Sequence, residues 1–352
     1  MTILNELPKP PQNPPTERDL TASWRGNLDE PLLTIKCITY NHEPFIRDAL
    51  NGFLMQKTDF PFRIVVHDDA STDGTREVVE QYAAAFPNVI RAVLQERNLY
   101  SRGINRNSCI DPLIAGQYVA ICEGDDYWID GQKLQMQVDF LENHQAYAFC
   151  WTRFYLLHDD SLKISPDLNG RYFRPNGKGV DFDFREFCYT GWNIGMQTMV
   201  YRQTAKNNQH AMLKNYRDVF LISDLLHAGR GFCLPAFTAV YRQHAGGIYA
   251  GISESQRKIV AERVYGSIAE AYPEHPGLVH KFIGRSNAVI AQHVREGKLR
   301  DAMLAAARQT RINRKPRAWL HFGKYLLEEA GSRLQELPGV QSIYRFFAGG
   351  KR

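Results

Sequence analysis

Three short polar stretches mark the first half of the chain, and each follows an apolar run with the length of a β-strand. The stretches are Thr39-Tyr40-Asn41, His67-Asp68-Asp69 and Glu123-Gly124-Asp125-Asp126. In an open α/β sheet, the carboxyl ends of the strands border the crevice in which ligands bind. We therefore expect the three stretches to meet in one polar site.

The carboxylates in these stretches indicate what the site binds. Crowded carboxylates repel one another, and a buried carboxylate without a partner is strongly unfavourable. A divalent cation that carries a phosphorylated ligand is the usual reason for such a cluster. Oxygen ligands such as those of Asp125 and Asp126 suit Mg²⁺ or Mn²⁺. The alternative is an ordinary acidic turn in solvent.

Strand-like and helix-like segments alternate over the same part of the chain. Four apolar runs predict strands at Leu32–Ile38, Phe62–Val66, Val89–Leu94 and Tyr118–Cys122. Helical patterns lie between and after them, as at Phe45–Leu54 and Lys133–Glu142. The alternation predicts an α/β fold with a mostly parallel sheet flanked by helices.

Three segments of different composition divide the chain. Residues 1–30 contain five prolines and are expected to form a flexible leader. Residues 31–250 hold the polar stretches and form the main domain, and residues 251–352 form a basic helical extension. The helical patterns of the extension are Ile259–Ala271, Leu278–Val294 and Leu299–Thr310.

Composition and hydropathy restrict the cellular setting. The chain has 352 residues, of which 44% are hydrophobic and 23% are charged, as in a globular protein. It has no N-terminal basic segment followed by an apolar one, and no apolar run reaches the ~20 residues of a membrane-spanning helix. The sequence therefore predicts a cytoplasmic protein. The six cysteines form no Cys-x-x-Cys pair, which argues against a zinc or redox centre.

Basic charge is concentrated in the extension. From Ala250 onward, 18 Lys and Arg face 9 Asp and Glu, although the net charge of the chain is only +5. The run of cations from Lys298 to Arg317 is either a solvated helix face or a surface that docks on an anionic membrane. The aromatic residues that would assist docking are Trp319, Phe322, Tyr344, Phe346 and Phe347. Nucleic acid is not an expected partner, because no nucleic-acid-binding motif accompanies the charge.

The residues around the polar stretches resemble those of a known family. They read Ile-Thr-Tyr-Asn-His-Glu from Ile38, Asp-Asp-Ala-Ser-Thr-Asp-Gly-Thr from Asp68 and Tyr-Val-Ala-Ile-Cys-Glu-Gly-Asp-Asp-Tyr-Trp from Tyr118. Together they resemble the nucleotide-sugar half of a family 2 glycosyltransferase with the GT-A fold, of the type that builds bacterial surface polysaccharides. The resemblance implies sugar transfer from a nucleotide diphosphate sugar to a hydroxyl group of a growing or lipid-linked glycan. It also implies a metal on the diphosphate and inversion by direct displacement.

The resemblance assigns donor-side roles to residues after the first two strands. Tyr40 resembles the residue that lies against the nucleobase, and Thr39 and Asn41 belong to the same donor-binding motif. Asp69 matches a position that contacts the base, whereas Asp68 is expected to be structural. An aromatic side chain that only packs at the strand end is the alternative for Tyr40.

For the third stretch, the resemblance implies a Mn²⁺ or Mg²⁺ ion that holds the donor diphosphate. The family commonly has Asp at the position of Glu123. We therefore place the metal on Asp126, with Asp125 as a second ligand or a contact to the ribose. His244, which ends the sequence Tyr-Arg-Gln-His, resembles a residue of the closing motif and would reach the diphosphate or the metal.

Asp218 resembles the acceptor-side base of the family, and it begins a helical pattern that closes at Gly229. An acceptor hydroxyl is a poor nucleophile, and a positioned carboxylate that removes its proton typically contributes ~10² to 10⁴ in rate. The alternatives are a helix-capping role for Asp218 and a base at Asp224. Residues 191–193 and 197–198 are expected to lie at the acceptor wall.

Two other classes of function use a similar site. A nucleotidyltransferase would also place acids and a metal on an α/β sheet, but it ordinarily has a Gly-rich loop with Lys or Arg near the first strand, which residues 38–44 lack. A nucleotide-sugar-binding scaffold without activity is the second alternative. The acidic pair Asp125 and Asp126, together with Asp218, argues against it.

Overall fold

The computed structural model of the protein describes residues 9, 12–158, 163–174, 177–189, 194–213, 216–247, 252–315 and 317–335. The chain forms two compact units, Met1–Ala250 and Gly251–Arg352. Several residues discussed above lie outside the described part of the chain, namely residues 191–193, Tyr344, Phe346 and Phe347.

A ten-stranded sheet forms the centre of the first unit. Its strands are β1 (Leu33–Thr39), β2 (Phe62–Asp68), β3 (Ile90–Leu94), β4 (Tyr118–Ile121), β5 (Tyr127–Trp128), β6 (Tyr147–His158), β7 (Lys163–Pro166), β8 (Val180–Phe182), β9 (Val200–Arg202) and β10 (Arg230–Gln243). They are ordered β3-β2-β1-β4-β9-β6-β10-β5, with β7 beside β6 and β8 beside β10. The core of the unit consists of the apolar side chains between this sheet and its helices.

Eight helices accompany the sheet in the described part of the first unit. They are α1 (Glu17–Thr21), α2 (Ile46–Leu54), α3 (Thr75–Ala85), α4 (Asn107–Ile110), α5 (Lys133–Asn143), α6 (Phe184–Tyr189), α7 (Asn208–Ala211) and α8 (Asp218–Ala228). In α2, Ile46, Ala49, Leu50 and Phe53 are buried at helical spacing, as the sequence pattern predicts.

The carboxyl ends of β1 and β4 form the switch point of the sheet. Strands β1 to β4 are parallel, and β2 and β4 lie on opposite sides of β1. The third polar stretch continues along β1, because the N–H of Gly124 donates to the carbonyl of Ile38 at 3.0 Å. This geometry brings the predicted polar stretches to one edge of the sheet.

The second half of the sheet is mixed. Strand β9 runs antiparallel to both β4 and β6, whereas the long strands β6 and β10 are parallel to each other. Antiparallel pairing of Val240 with Tyr127 places the end of β10 beside the third polar stretch. The parallel arrangement that the sequence predicts therefore describes β1 to β4, whereas β5, β7, β8 and β9 all pair antiparallel with their neighbours.

Residues 12–30 differ from the expected flexible leader, because part of this segment packs on the first unit. It contains α1, where Leu20 is buried, and the ring of Trp24 lies 4.9 Å from that of Phe62. The N–H of Arg25 also donates to the Asp59 carbonyl at 2.7 Å. Apolar side chains after the prolines find an apolar surface and remove it from water.

The described part of the second unit is helical. It consists of α9 (Glu254–Ala271), α10 (Pro276–Arg295), α11 (Leu299–Asn313) and α12 (Arg317–Gln335). A capping box at Ser253 begins α9, and Ile290, Ala306 and Ala318 join the last three helices in a small apolar cluster. Helix α12 extends the helical pattern beyond the predicted segments. Among the residues described, no helix combines the length and the hydropathy that crossing a bilayer requires.

Candidate active site

Tyr40 faces solvent in the segment after β1, where its side chain is 41% exposed. The next residue, Asn41, has a left-handed backbone with φ 54°, which Asn tolerates better than most residues. Asn41 Oδ1 accepts a 2.8 Å hydrogen bond from the N–H of Thr72, and the N–H of Asn41 donates to Ser71 Oγ at 2.9 Å. Asn41 thus ties the ends of β1 and β2 together, and the ring of Tyr40 is available for stacking on a ligand.

Thr39 and Gly124 pack against each other at the same edge of the sheet. Thr39 is buried, and a Cβ atom at position 124 would lie 2.6 Å from Thr39 Oγ1. Only glycine permits this approach without a shift of the backbone. The side chain of Thr39 therefore supports the third polar stretch, which differs from the donor contact that its motif implies.

Asp69 organises the loop that follows β3. Its Oδ1 accepts a 2.7 Å hydrogen bond from the N–H of Leu99, and its Oδ2 accepts one of 3.1 Å from the N–H of Tyr100. Tyr100 is 42% exposed, and the Arg106 guanidinium lies 5.1 Å from its ring centre. Asp68 is buried and accepts hydrogen bonds from Ser71. Asp69 thus positions a second exposed tyrosine, for which the sequence gives no motif.

Asp125 faces two histidines. Its Oδ2 lies 3.1 Å from Nε2 of His244 and 3.7 Å from Nε2 of His42. Burial by itself would raise the pKa of Asp125, but the hydrogen bond with His244 and the charge of His42 outweigh burial and lower that pKa. The second oxygen, Oδ1, is buried without a hydrogen-bond partner. Asp125 therefore offers an ionised carboxylate with one unused acceptor.

These three side chains form a group that can hold a metal ion. One potential ligand atom from each of His42, Asp125 and His244 lies within 4.8 Å of the others. Imidazole nitrogen and carboxylate oxygen are both ligands of divalent first-row metals. Since the unused Oδ1 of Asp125 is an orphaned buried acceptor, the residues present fit the cation that the sequence predicts.

The side chain of Asp126 contacts the backbone of Arg242, whereas that of Asp125 faces the two histidines. Oδ1 of Asp126 accepts a 2.8 Å hydrogen bond from the N–H of Arg242, and its side chain is buried. Burial and the charge of Asp125 raise the pKa of Asp126 well above its ordinary value. The Arg242 guanidinium donates to the carbonyl of Asp125 at 2.8 Å and to Asp48 Oδ2 at 3.1 Å. The geometry therefore makes Asp126 a tether of β10 and favours Asp125 as the metal ligand, which differs from the placement on Asp126.

Glu123 is the solvent-exposed acid of the third stretch. Although solvent reaches its side chain, nearby protein atoms reduce its solvation. This desolvation and the charges of Asp125 and Asp218 raise the pKa of Glu123 to about 8. Because the charge of Asp218 acts on Glu123, the candidate base lies within electrostatic reach of the acidic stretch.

Asp218 begins α8 and is exposed to solvent. Crowding by protein atoms raises its pKa, although the positive charge of Arg217 opposes this change. A carboxylate with a raised pKa is a better proton acceptor than an ordinary aspartate. Both the exposure and the basicity of Asp218 agree with the role of a general base.

Asp224, the alternate base, is enclosed by the fold. Its side chain is buried, its Oδ1 lies 2.9 Å from His210 Nδ1, and its Oδ2 accepts a 3.3 Å hydrogen bond from the hydroxyl of Tyr216. An acceptor sugar could not reach a carboxylate in this position. The structure therefore favours Asp218 over Asp224.

Trp128, Gln197 and Thr198 belong to the packed interior. Trp128 Nε1 donates a 2.6 Å hydrogen bond to the carbonyl of Gln197, and all three side chains are buried. Trp128 also packs edge-on against Phe53 with ring centres 4.8 Å apart. Residues 197–198 therefore do not line an open acceptor wall, and Trp128 packs the loop of the third stretch.

Sequence comparison identifies relatives of this chain. The family described as "Glycosyl transferase family 2" matches residues 34–204. An uncharacterized protein of Mycobacterium tuberculosis is 35% identical over 244 residues, which are 67% of this chain and 66% of that protein. The chain thus spans about two thirds of that relative. An Escherichia coli protein named UDP-Glc:alpha-D-GlcNAc-diphosphoundecaprenol beta-1,3-glucosyltransferase WfaP is 25% identical over 225 residues, covering 62% of this chain and 80% of that protein.

Structural comparison gives the same result for the fold. The crystal structure of TarS 1–349 from Staphylococcus aureus in complex with UDP-GlcNAc matches with a TM-score of 0.50 at 17% identity, covering 85% of this chain and 92% of that chain. At this identity the likeness shows the fold alone. The predicted α/β fold of GT-A type with a helical extension is confirmed.

Proposed function

Because the chain belongs to glycosyltransferase family 2, we propose that it transfers a sugar from a nucleotide diphosphate sugar to a hydroxyl group, with inversion at the anomeric carbon. The observation that carries this proposal is the placement of the acidic stretch. Asp125 holds its carboxylate beside two histidines, and the charge of Asp218 acts on Glu123 in the same acidic stretch. A donor diphosphate and an acceptor hydroxyl can therefore meet there.

The residues divide the reaction between them. Tyr40 stacks on the nucleobase, and Asp69 orders the loop that closes this side of the donor pocket. Asp218 removes the proton of the acceptor hydroxyl, whose oxygen attacks the anomeric carbon while the bond from that carbon to the diphosphate oxygen breaks. Asp125, with His244 beside it, would hold a divalent cation, Mn²⁺ or Mg²⁺, which neutralises the departing diphosphate when bound.

The acceptor in this proposal is a growing or lipid-linked glycan, and the protein works at the cytoplasmic face of a membrane. The name of the Escherichia coli relative gives its acceptor as a sugar on diphosphoundecaprenol. The helical unit of the present chain exposes Trp319, Leu320 and Leu327 of α12, at 39%, 75% and 77%. Apolar residues on a basic helical unit suit the surface of an anionic bilayer.

A screen of nucleotide diphosphate sugars tests the proposal. The matching donor at 100 times its Kd should stabilise the protein by ~2.7 kcal/mol, and the shift should grow with Mn²⁺. Release of nucleoside diphosphate from that donor then measures catalysis. Stabilisation without release, even with lipid-linked glycan acceptors present, would favour the inactive scaffold. No stabilisation by any donor would contradict the proposed function.

A further inference from the structure

We propose that His42 is a ligand of the active-site metal, so that the ion binds a His–Asp–His set before the donor arrives. The inference rests on the proposed function for the place of the metal, and it adds a residue that the metal-binding assignment from the sequence does not contain. It also specifies the class of metal.

The distances between the ligand atoms support this assignment. A divalent ion that lies ~2.1 Å from each ligand atom places adjacent ligands ~3.0 Å apart in octahedral and ~3.4 Å apart in tetrahedral geometry. Oδ2 of Asp125 lies 3.1 Å from His244 Nε2 and 3.7 Å from His42 Nε2. The distance from Asp125 to His244 fits this geometry, and the His42 ring must move toward Asp125 for all three ligands, which lie within 4.8 Å of one another, to contact one ion.

The fold holds the two imidazoles in place. The N–H of His42 donates to Thr75 Oγ1 at 2.8 Å, and its carbonyl accepts a 2.8 Å hydrogen bond from the N–H of Phe45 at the start of α2. The ring of Phe45 lies 4.6 Å from that of His244. The His42 and His244 rings meet nearly edge to face, with centres 6.0 Å apart. The ligands are therefore arranged by contacts that do not involve the metal.

This set of ligands predicts which ions bind. Imidazole nitrogen favours later first-row ions, whereas Mg²⁺ prefers oxygen ligands and keeps several waters. With two nitrogens and one carboxylate, the site should prefer Mn²⁺, Co²⁺ and Zn²⁺ to Mg²⁺. Three protein ligands also leave coordination positions for phosphate oxygens, so the ion can bind without a nucleotide.

Cobalt provides a readout that does not depend on catalysis. Co²⁺ is added to the 352-residue chain without any donor, and the visible absorption of the ion is recorded. We expect saturable binding by the wild type, and His42→Ala should weaken it at least tenfold, because loss of even an outer-shell partner typically costs 10–100-fold in metal affinity. The matched control is His144→Ala, which should bind like the wild type. His144 is exposed and precedes β6, whereas His244 follows β10. Because β6 and β10 are parallel, the two histidines lie at opposite ends of this strand pair.

The wild type alone provides a second test in case His42→Ala does not fold. Electron spin-echo spectroscopy of Mn²⁺ bound without donor should detect coupling to two imidazole nitrogens. Coupling to a single imidazole, or equal binding of Co²⁺ by His42→Ala and the wild type, would overturn the assignment of His42. If these tests succeed but no donor is turned over, the metal site stands and the proposed function fails. If transfer is observed but His42 is not a ligand, only this inference fails.

Discussion

The N–H of Arg242 donates a 2.8 Å hydrogen bond to Oδ1 of Asp126, across 116 positions of the chain. This bond fastens the end of β10 to the third polar stretch. The bond occupies Oδ1 of Asp126, whereas the adjacent carboxylate of Asp125 faces His244. Two neighbouring and chemically identical residues thus have separate tasks, one in holding the loop and one in facing the ligand.

Substitutions of the two aspartates should therefore have different effects. Asp125→Asn should abolish Mn²⁺ binding and sugar transfer while leaving thermal stability close to that of the wild type. Asp126→Ala leaves the buried N–H of Arg242 without an acceptor, so it should lower the free energy of unfolding by about 1–3 kcal/mol. Calorimetric Mn²⁺ titration and denaturant unfolding measure the two effects. If a stable Asp126→Ala variant lost Mn²⁺ binding, Asp126 would have to be assigned as a metal ligand.

The base is tested by a second matched pair. Asp218→Asn keeps the shape of the side chain and removes its basicity, so the rate of transfer should fall by ~10² or more with donor affinity nearly unchanged. Asp224→Asn should instead reduce stability, because Asp224 is buried against His210 and Tyr216. Transfer kinetics and melting curves separate the outcomes. If Asp224→Asn gave a stable protein that lost more transfer activity than Asp218→Asn, Asp224 would be the base instead.

The raised pKa of Asp218 also predicts a pH dependence. The base must be ionised to accept a proton, and crowding by the protein raises its pKa above the ordinary value of 3.8. The rate of transfer should therefore fall with acidification at a higher pH than an ordinary aspartate would cause. The dependence of kcat/KM on pH measures this limb, and donor affinity at each pH serves as the control. A rate that stays constant down to the ordinary range of an aspartate would contradict a perturbed base.

The sequence predicts the parallel part of the sheet well, because its signals are local. Apolar runs and helical spacing within residues 32–142 identify β1 to β4 and the helices between them. The exposed Asp218 at the first position of α8 is also readable, because the helical pattern begins there. These features depend on neighbours in the chain, so spacing alone locates them.

The rest of the candidate site depends on distant pairings. Asp125 and Asp126 look alike in the sequence, and only the return of β10 beside Tyr127 shows which one faces His244. His42 follows a strand end without any spacing that indicates a ligand, and its partners lie far along the chain. Tyr100 becomes part of the site because Asp69 binds its backbone, which no local pattern reveals.

In the structure, several of the basic residues of the extension form ion pairs, which leaves fewer cations for membrane docking. Lys298 forms an ion pair with Glu296 at 2.7 Å, and Arg308 forms one with Glu262 at 3.3 Å. Arg311 pairs with Glu270. Among the residues described, three exposed cations near the α11–α12 junction have no ion pair of this type. They are Arg314, Lys315 and Arg317.

Reversing these three charges tests membrane docking. Each cation near an anionic bilayer contributes ~1 kcal/mol, so Arg314→Glu, Lys315→Glu and Arg317→Glu together should weaken binding to anionic liposomes by ~10² or more. Binding of the wild type should also weaken with salt. The control reverses three exposed cations of the first unit: Arg18, Lys57 and Arg91. Cosedimentation with liposomes measures the binding. If both triple variants bind equally, or if the wild type does not bind at low salt, the cations form only a solvated helix face and do not dock on a membrane.

Lys133 gives a prediction about stability that is independent of the active site. Its side chain is fully buried, with Nζ 4.1 Å from the ring centre of Trp128 and 2.7 Å from Gln137 Oε1. Burial lowers the pKa of Lys133 from 10.5 to about 7. Between these two pH values the unfolded chain binds a proton that the folded protein does not. Stability due to Lys133 should therefore be complete above pH 10.5 and decrease as the pH falls toward 7.

Replacement by an apolar side chain of similar length removes this titration. Lys133→Met loses the contact with Gln137 at every pH, but it carries no charge that must be buried. The stability of the variant relative to the wild type should therefore increase as the pH falls from 10 to 7, by at most ~1.4 kcal/mol per pH unit, and then level off. Urea unfolding across this range measures the difference, and Lys57→Met, at an exposed position, is the control. A difference that does not change with pH would show that Lys133 keeps its charge in the folded protein.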